Sequence, residues 1–346
     1  MIPGLDDCRI ALVLAGGSAL GAYQGGVYQT LHENGIEPHW IVGTSAGAIN
    51  GALIAGNPVE NRIPQLLRFW RPERDADWPM WWDAIPDTWR RTNEVVSTML
   101  AGRSGLFGPI GSSMGHGSAA TPAMYDTTPL STSLAQLVDF DRLNDGAVRY
   151  AAVAVDLDSG DEVVFDTADG RVAPDHVRAS AAMPPNFPAV PIGGHLYVDG
   201  GLSANLPIDP VLAPMEGPPV LCIAVDVLPL AAPRPGTLGE VVGRTQDLIF
   251  GCQSRRSIAR WRDVYAASEE HRRRSVTLVR LAYADQCKEV AGKAMDFSPA
   301  SVRTRWDAGR SDAAILVEEL TRGGLFSCKP GLSVHELRSS ADRRDA

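Results

Sequence analysis

Residues 9–21, RIALVLAGGSALG, decide how this chain is read. Arg9–Leu14 is a near-continuous apolar run, the pattern of a strand buried on both faces of a parallel sheet. It breaks into Ala15-Gly16-Gly17-Ser18 and then reads as a helix from about Ala22 to Asn34, closed by Gly35. The pattern repeats at once. A strand at His39–Val42 runs into Gly43-Thr44-Ser45-Ala46-Gly47, and a small-residue helix from Ala48 to Ala55 stops at Gly56-Asn57-Pro58. Strand, glycine turn and helix, twice in succession, predict an α/β layer fold. In a parallel sheet both turns fall on the same carboxyl edge, where such folds carry their sites.

Further strands are expected at 150–157, 162–165, 196–198 and 220–227, with a helix at 177–182. Residues 70–125 differ, being rich in Trp, Pro and Gly, and read as a cap inserted over the sheet. Five of the eight tryptophans (Trp70, Trp78, Trp81, Trp82, Trp89) fall here. Trp suits a boundary that is apolar on one side and wet on the other, so the cluster reads either as a lipid-touching lid or as packing onto the sheet. A Pro-rich linker at 228–236 separates a first unit (8–230) from a mostly helical C-terminal extension (237–335) with one strand at 276–281. Residues 336–346 are polar and expected to be disordered.

A hydrophobic content of 45% rules out a wholly disordered chain. The net charge of −9 argues against whole-molecule attraction to nucleic acid. Cys8, Cys222, Cys252, Cys287 and Cys328 are scattered, odd in number and without a CxxC pair, as for reduced thiols in a cytoplasm rather than zinc ligands or a disulfide framework. The apolar run at 10–15 is too short for a signal-peptide core, and no run of about 18 apolar residues occurs. A cytoplasmic or peripherally membrane-bound protein is expected.

Gly43-x-Ser45-x-Gly47, between a strand and a helix, has the context of a nucleophile elbow. Glycines at both ends let backbone approach closely while Ser is held in a strained conformation at a helix start. The competing reading is that Ser45 only caps its helix. Gly16, Gly17 and Ser18, at the preceding turn, offer backbone N–H groups for an oxyanion hole. That loop does not match GxGxxG and lacks the GK[ST] of a phosphate-binding loop, so nucleotide binding is disfavoured. Ser45 needs a base. Seven histidines are present, none in a distinctive motif; only His271 and His335 fit the order Ser, acid, His, one in a basic helix and one in the tail. Asp199 is the better candidate. It ends the 196–198 strand and precedes Gly200 and Gly201, where partial desolvation would raise its pKa. The plain alternative is an ordinary hairpin turn.

Together these blocks resemble the patatin-like phospholipases. The resemblance rests on residues 14–23 (LAGGSALGAY), 43–47 (GTSAG), 179–184 (ASAAMP) and 197–207 (YVDGGLSANLP), and covers about residues 8–230. It implies a three-layer α/β/α sandwich with a mainly parallel sheet. It also implies a Ser45–Asp199 dyad without histidine, an acyl-enzyme, an oxyanion hole at Gly16, Gly17 and Ser18, and supporting glycines at 21, 43, 47, 200 and 201. No metal and no cofactor are expected. Many members carry Arg or Lys just before the last glycine of the oxyanion loop, where this chain has Leu20; its loss bears on phospholipid preference, not on ester cleavage. Residues 296–299 (DFSP) and Arg305-Trp306-x-x-Gly309 resemble the C-terminal region of one bacterial subgroup.

The function expected is a serine lipid acyl hydrolase acting on a lipid or other acyl ester. The alternatives are a soluble esterase, thioesterase or transacylase with the same dyad, or a non-catalytic lipid-binding scaffold. Arg255, Arg256, Arg260, Arg262, Arg272, Arg273 and Arg274 form a basic tract that reads as a solvated helix face or a contact for anionic membrane. No nucleic-acid partner is expected, and nothing in the sequence fixes an oligomeric state.

Overall fold

The computed structural model describes residues 8–70, 86–110, 121–146, 148–287, 289–326 and 328–337. The chain opens with β1 (Arg9–Leu14), α1 (Ala22–Glu33), β2 (Trp40–Thr44), α2 (Ala46–Ala55) and α3 (Val59–Trp70). Next come α4 (Asp87–Ala101), a two-stranded ribbon of β3 (Gly108–Pro109) and β4 (Tyr125–Asp126), α5 (Thr128–Leu137) and α6 (Phe140–Asn144). Then follow β5 (Arg149–Asp156), β6 (Glu162–Asp166), α7 (Pro174–Ser180), β7 (Val190–Ile192), β8 (His195–Asp199), α8 (Asp209–Leu212) and β9 (Val220–Asp226). The last part holds α9 (Leu238–Ala267), α10 (Glu269–Arg273), β10 (Ser275–Ala282), α11 (Pro299–Thr321) and β11 (Gly331–Leu337).

The central sheet runs β11-β10-β9-β1-β2-β5-β8-β7, with β6 also on β5. From β11 to β5 every pairing is parallel; β6, β7 and β8 pair antiparallel. This is a three-layer α/β/α sandwich with a mainly parallel sheet, as expected. The period of two sorts the side chains of β1 between the layers. Ile10, Leu12 and Leu14 pack with residues of α1, α2, α3 and α11; Ala11 and Val13 pack with residues of α8 and α9 on the other face.

The residues after the Pro-rich linker share this core. β10 and β11 extend the same sheet, and α11 lies along α1. The helices meet at glycine: a Cβ at Gly26 would lie 1.9 Å from the Trp306 carbonyl oxygen, and one at Gly309 would lie 2.1 Å from that of Tyr23. Glu336 and Leu337, expected in the tail, close β11, and 338–346 lie outside the described residues. So do Trp78, Trp81 and Trp82 of the expected cap, with the rest of 71–85 and 111–120. Of the two described tryptophans of that cluster, Trp70 is buried at the end of α3 and Trp89 is exposed.

Candidate active site

The turn after β2 is shaped by steric limits. A Cβ at Gly43 would lie 2.4 Å from the Gly47 carbonyl oxygen, and one at Gly47 would lie 2.1 Å from that of Leu14. Between these glycines Ser45 takes φ 55°, ψ −122°, a conformation non-glycine residues rarely adopt. Its N–H donates to the carbonyl oxygen and Oγ of Ser180, each at 3.1 Å, and Ser180 Oγ donates to the Val153 carbonyl at 2.6 Å. Ser45 stands at the N-cap of α2, yet its side chain makes no capping hydrogen bond. The helix-cap reading therefore fails, and the hydroxyl of this half-buried residue is left for other use.

Strand register brings Asp199 beside it. Thr44 lies opposite Val153 of β5, and Asp199 lies opposite Ala154, the next residue along. Because β6 covers Ala151–Val155 from the other side, β2 and β8 occupy one and the same edge of β5, end to end. Asp199 is 0% exposed. Its Oδ1 accepts from the Gly201 N–H at 2.7 Å, and Oδ2 is buried with no hydrogen-bond partner among the described residues. Burial pushes the carboxyl up to about 7, against smaller downward pulls from the Gly201 amide and the Ser45 side chain. The chain then enters a 3-10 turn at Gly200–Leu202, so the hairpin reading of Asp-Gly-Gly fails as well.

The loop after β1 completes the cluster, a Cβ at Gly16 lying only 3.1 Å from Ser45 Cβ. Five of its carbonyl oxygens are held. Gln24 Nε2 donates to Ala15 (2.7 Å), Asn205 Nδ2 to Gly16 (3.2 Å), the Leu20 amide to Gly17 (3.1 Å), Arg305 Nη1 to Ala19 (3.1 Å) and Asn50 Nδ2 to Gly21 (2.9 Å). Gly16 donates its own N–H to the Asn205 carbonyl at 3.0 Å, so this expected oxyanion donor is committed to the fold. The amides of Gly17 and Ser18 have no acceptor among the described residues, and Ser18 takes φ 50°. A preorganised pair of free N–H groups in a loop next to a serine can stabilise a developing oxyanion. Of the supporting glycines, Gly21 admits Trp70 and Ala46, whose atoms would lie 2.8 and 2.9 Å from a Cβ there, and Gly200 would meet the Val153 carbonyl oxygen at 2.3 Å.

Ser180, Asn205 and Arg305 lie inside the stretches that carry the resemblance but have no role read from the sequence, and Gln24 and Asn50 lie outside every candidate site residue. Gln24 and Asn50 did leave a signal, as amides inside helices of small and apolar residues. No histidine among the described residues bonds Ser45 or Asp199; His195 pairs with Asp156 at 2.8 Å instead. The arginine tract is partly structural: Arg260 pairs with Asp209, Arg273 with Glu269, and the buried Arg274 donates to the Val211 and Pro214 carbonyls. Among the described residues no cluster of three His, Cys, Asp or Glu side chains is placed to hold a metal ion, and no helix is long and apolar enough to cross a membrane.

Residues 12–212 match the family model described as patatin-like phospholipase, and residues 252–321 match a second, described as patatin phospholipase. The chain is 31% identical over 226 residues to patatin-like phospholipase domain-containing protein 7 of Rattus norvegicus, covering 64% of this chain and 14% of that protein. It is 28% identical over 215 residues to an uncharacterised NTE family protein of Mycobacterium tuberculosis, covering 62% of this chain and 30% of the other. The chain thus spans a small part of the length of the curated relatives it matches. Among solved structures, VipD from Legionella pneumophila aligns over 90% of this chain and 67% of its own, with a TM-score of 0.45 and 14% identity.

Proposed function

Because this chain belongs to the patatin-like phospholipase family, we propose that it is a lipid acyl-ester hydrolase that works through Ser45 and Asp199. One observation carries the reading: a fully buried carboxylate with one unpartnered oxygen lies beside an uncapped serine and two unclaimed amides. In the first half-reaction Asp199 takes the Ser45 proton as Oγ attacks the acyl carbonyl. The oxyanion is held by the Gly17 and Ser18 amides. Collapse returns the proton to the departing alcohol and leaves an acyl-enzyme on Ser45. Water, deprotonated by Asp199, then attacks that ester, and the proton returns to Ser45 Oγ as the fatty acid leaves. A carboxyl titrating near 7 suits both directions of this transfer.

The surroundings support a lipid substrate. Leu202, directly after the Gly200-Gly201 pair, is exposed, and so are Leu238, Val241, Val242, Leu248 and Ile249. Val241 and Val242 follow Leu238 by three and four residues, and Leu248 and Ile249 follow those two by seven, so the five lie on one face of α9. Gln253, farther along α9, accepts from the Asn205 N–H, which ties this helix to the site. Such a face suits peripheral contact with a lipid surface, at the cytoplasmic leaflet if the protein resides there.

The test is a substrate panel of phospholipids, monoacylglycerols and acyl thioesters, offered as vesicles or micelles and as monomeric short-chain analogues. Wild type is expected to hydrolyse the esters, with preference for the aggregated form. Ser45→Ala should lose at least about 10³-fold in rate and all labelling by a fluorophosphonate. Turnover by Ser45→Ala near that of wild type would remove the proposal.

A further inference from the structure

The segment matching the second family model has no role in the chemistry above, yet one of its side chains reaches the amide loop. Arg305, on α11, is 0% exposed. Its Nη1 donates to the Ala19 carbonyl at 3.1 Å, across 286 positions of sequence, and to the Asp296 carbonyl at 2.7 Å. The other side of the guanidinium is clamped by Glu289, with Nε to Oε1 at 2.8 Å and Nη2 to Oε2 at 2.7 Å. Arg91 of α4 closes the cluster, 2.6 Å from Glu289 and 2.8 Å from Asp296. Two arginines and two carboxylates, none with a side chain more than 5% exposed, form a charge-balanced buried cluster.

Breaking such a cluster on one side is costly, because the partner is left charged and dry. The guanidinium is therefore a fixed point, and the Ala19 peptide is bonded to it. Ala19 directly follows Ser18, whose left-handed φ of 50° is unfavourable for a residue with a Cβ. A strained residue with a free amide persists only where its neighbours over-determine it. Gly17 closes a local turn with Leu20, and Gln24, Asn50 and Asn205 hold the loop from the hydrolase half of the chain. Arg305 is the hold from the C-terminal segment.

We propose that Arg305, clamped by Glu289, is a positioning residue that aims the Gly17 and Ser18 amides at the oxyanion. This gives the C-terminal segment a part in catalysis without contact to substrate, and it rests on the ester-hydrolase reading of the site. The loop amides act on charge that develops in the transition state, so their misalignment lowers kcat and leaves KM nearly unchanged.

The test uses two charge-conserving changes in the full chain. Arg305→Lys keeps the cation but replaces the planar fork, which bonds Glu289 through Nε and Nη2 and Ala19 O through Nη1, with a single nitrogen on a flexible stem. The double variant Arg305→Met with Glu289→Gln removes both charges of the clamp. Active sites are counted by fluorophosphonate titration, so that rates refer to folded, labelled enzyme. Per titrated site, kcat on a short-chain ester should fall about tenfold or more. Affinity for a trifluoromethyl ketone, whose adduct is a tetrahedral oxyanion, should fall by a similar factor, with KM within about twofold of wild type. A purely structural Arg305 would instead lower the melting temperature and leave kcat per site and ketone affinity at wild-type values; that result in either folded variant overturns the proposal. If the double variant does not fold, Arg305→Lys decides alone. Failure of wild type to label at Ser45 would instead overturn the ester-hydrolase reading, and this proposal with it.

Discussion

The two glycine turns at the carboxyl edge of the sheet are built by opposite means. The turn carrying Ser45 is set mainly by backbone sterics: Gly43 and Gly47 remove Cβ atoms that would collide with backbone, and Ser180, 135 residues along the chain, holds the amide of the strained Ser45. The loop carrying Gly17 and Ser18 owes its shape to side chains reaching in from α1, α2, the segment after β8, and α11. The difference matches the tasks proposed for them. A nucleophile needs one side chain held at one angle, which tight sterics can do. An oxyanion hole needs amides kept without acceptors, so the carbonyls around them must be held by groups from elsewhere.

Asp199 gives the largest test of the first turn, since in the proposed mechanism it takes the Ser45 proton. Asp199→Asn should lower the hydrolysis rate by at least about 10²–10³-fold. In wild type, kcat/KM should rise with pH through about 7 and then level, as the carboxyl ionises. Stability should run the other way. Between the ordinary aspartate pKa near 4 and the folded value of about 7, the unfolded chain has lost this proton while the native chain keeps it. The native state binds more protons there, so stability falls as pH rises through that window and levels above it. Asp199→Asn, which cannot ionise, should therefore melt higher than wild type at pH 8, with the gap closing toward pH 4. A constant gap from pH 4 to 8 would mean that Asp199 is not the buried carboxyl that titrates.

The same contrast explains what could be read from the chain. Ser45 and its glycines were legible because the geometry is local, encoded within five residues between a strand and a helix. Asp199 was legible as a residue, but the β2–β8 alignment along one edge of β5 is a register fact with no local signature. Gly16 was assigned as a donor because glycine turns expose amides in general; only the tertiary bond to Asn205 shows this amide engaged. Arg305 was noticed for its sequence neighbourhood alone, since a link across 286 residues leaves no pattern. At the far edge, β11 (GLSVHEL) was missed because it mixes polar and apolar residues and is only partly covered. The sandwich itself was predictable, because its buried parallel strands are the apolar runs.

Gly47→Ala and Asn50→Ala set the two turns against each other. The new Cβ at position 47 would sit 2.1 Å from a backbone oxygen, which no rotamer change relieves. Denaturant unfolding should show a loss of about 3 kcal/mol, while molecules that still fold and label keep much of their rate. Asn50→Ala removes the bonds to the Gly21 carbonyl and Gln24 and leaves the buried Trp70 Nε1, now 2.7 Å from Asn50 Oδ1, without its acceptor. That should cost about 1–2 kcal/mol, less than Gly47→Ala. The rate per labelled site should nevertheless fall by about tenfold, because the loop amides lose a hold while Ser45 does not. Measured together, the two variants should cross: the greater loss of fold with Gly47→Ala, the greater loss of rate per site with Asn50→Ala. If both quantities ranked the variants in the same order, the two turns would be held in the same way, and the distinction between backbone sterics and side-chain bonding would collapse.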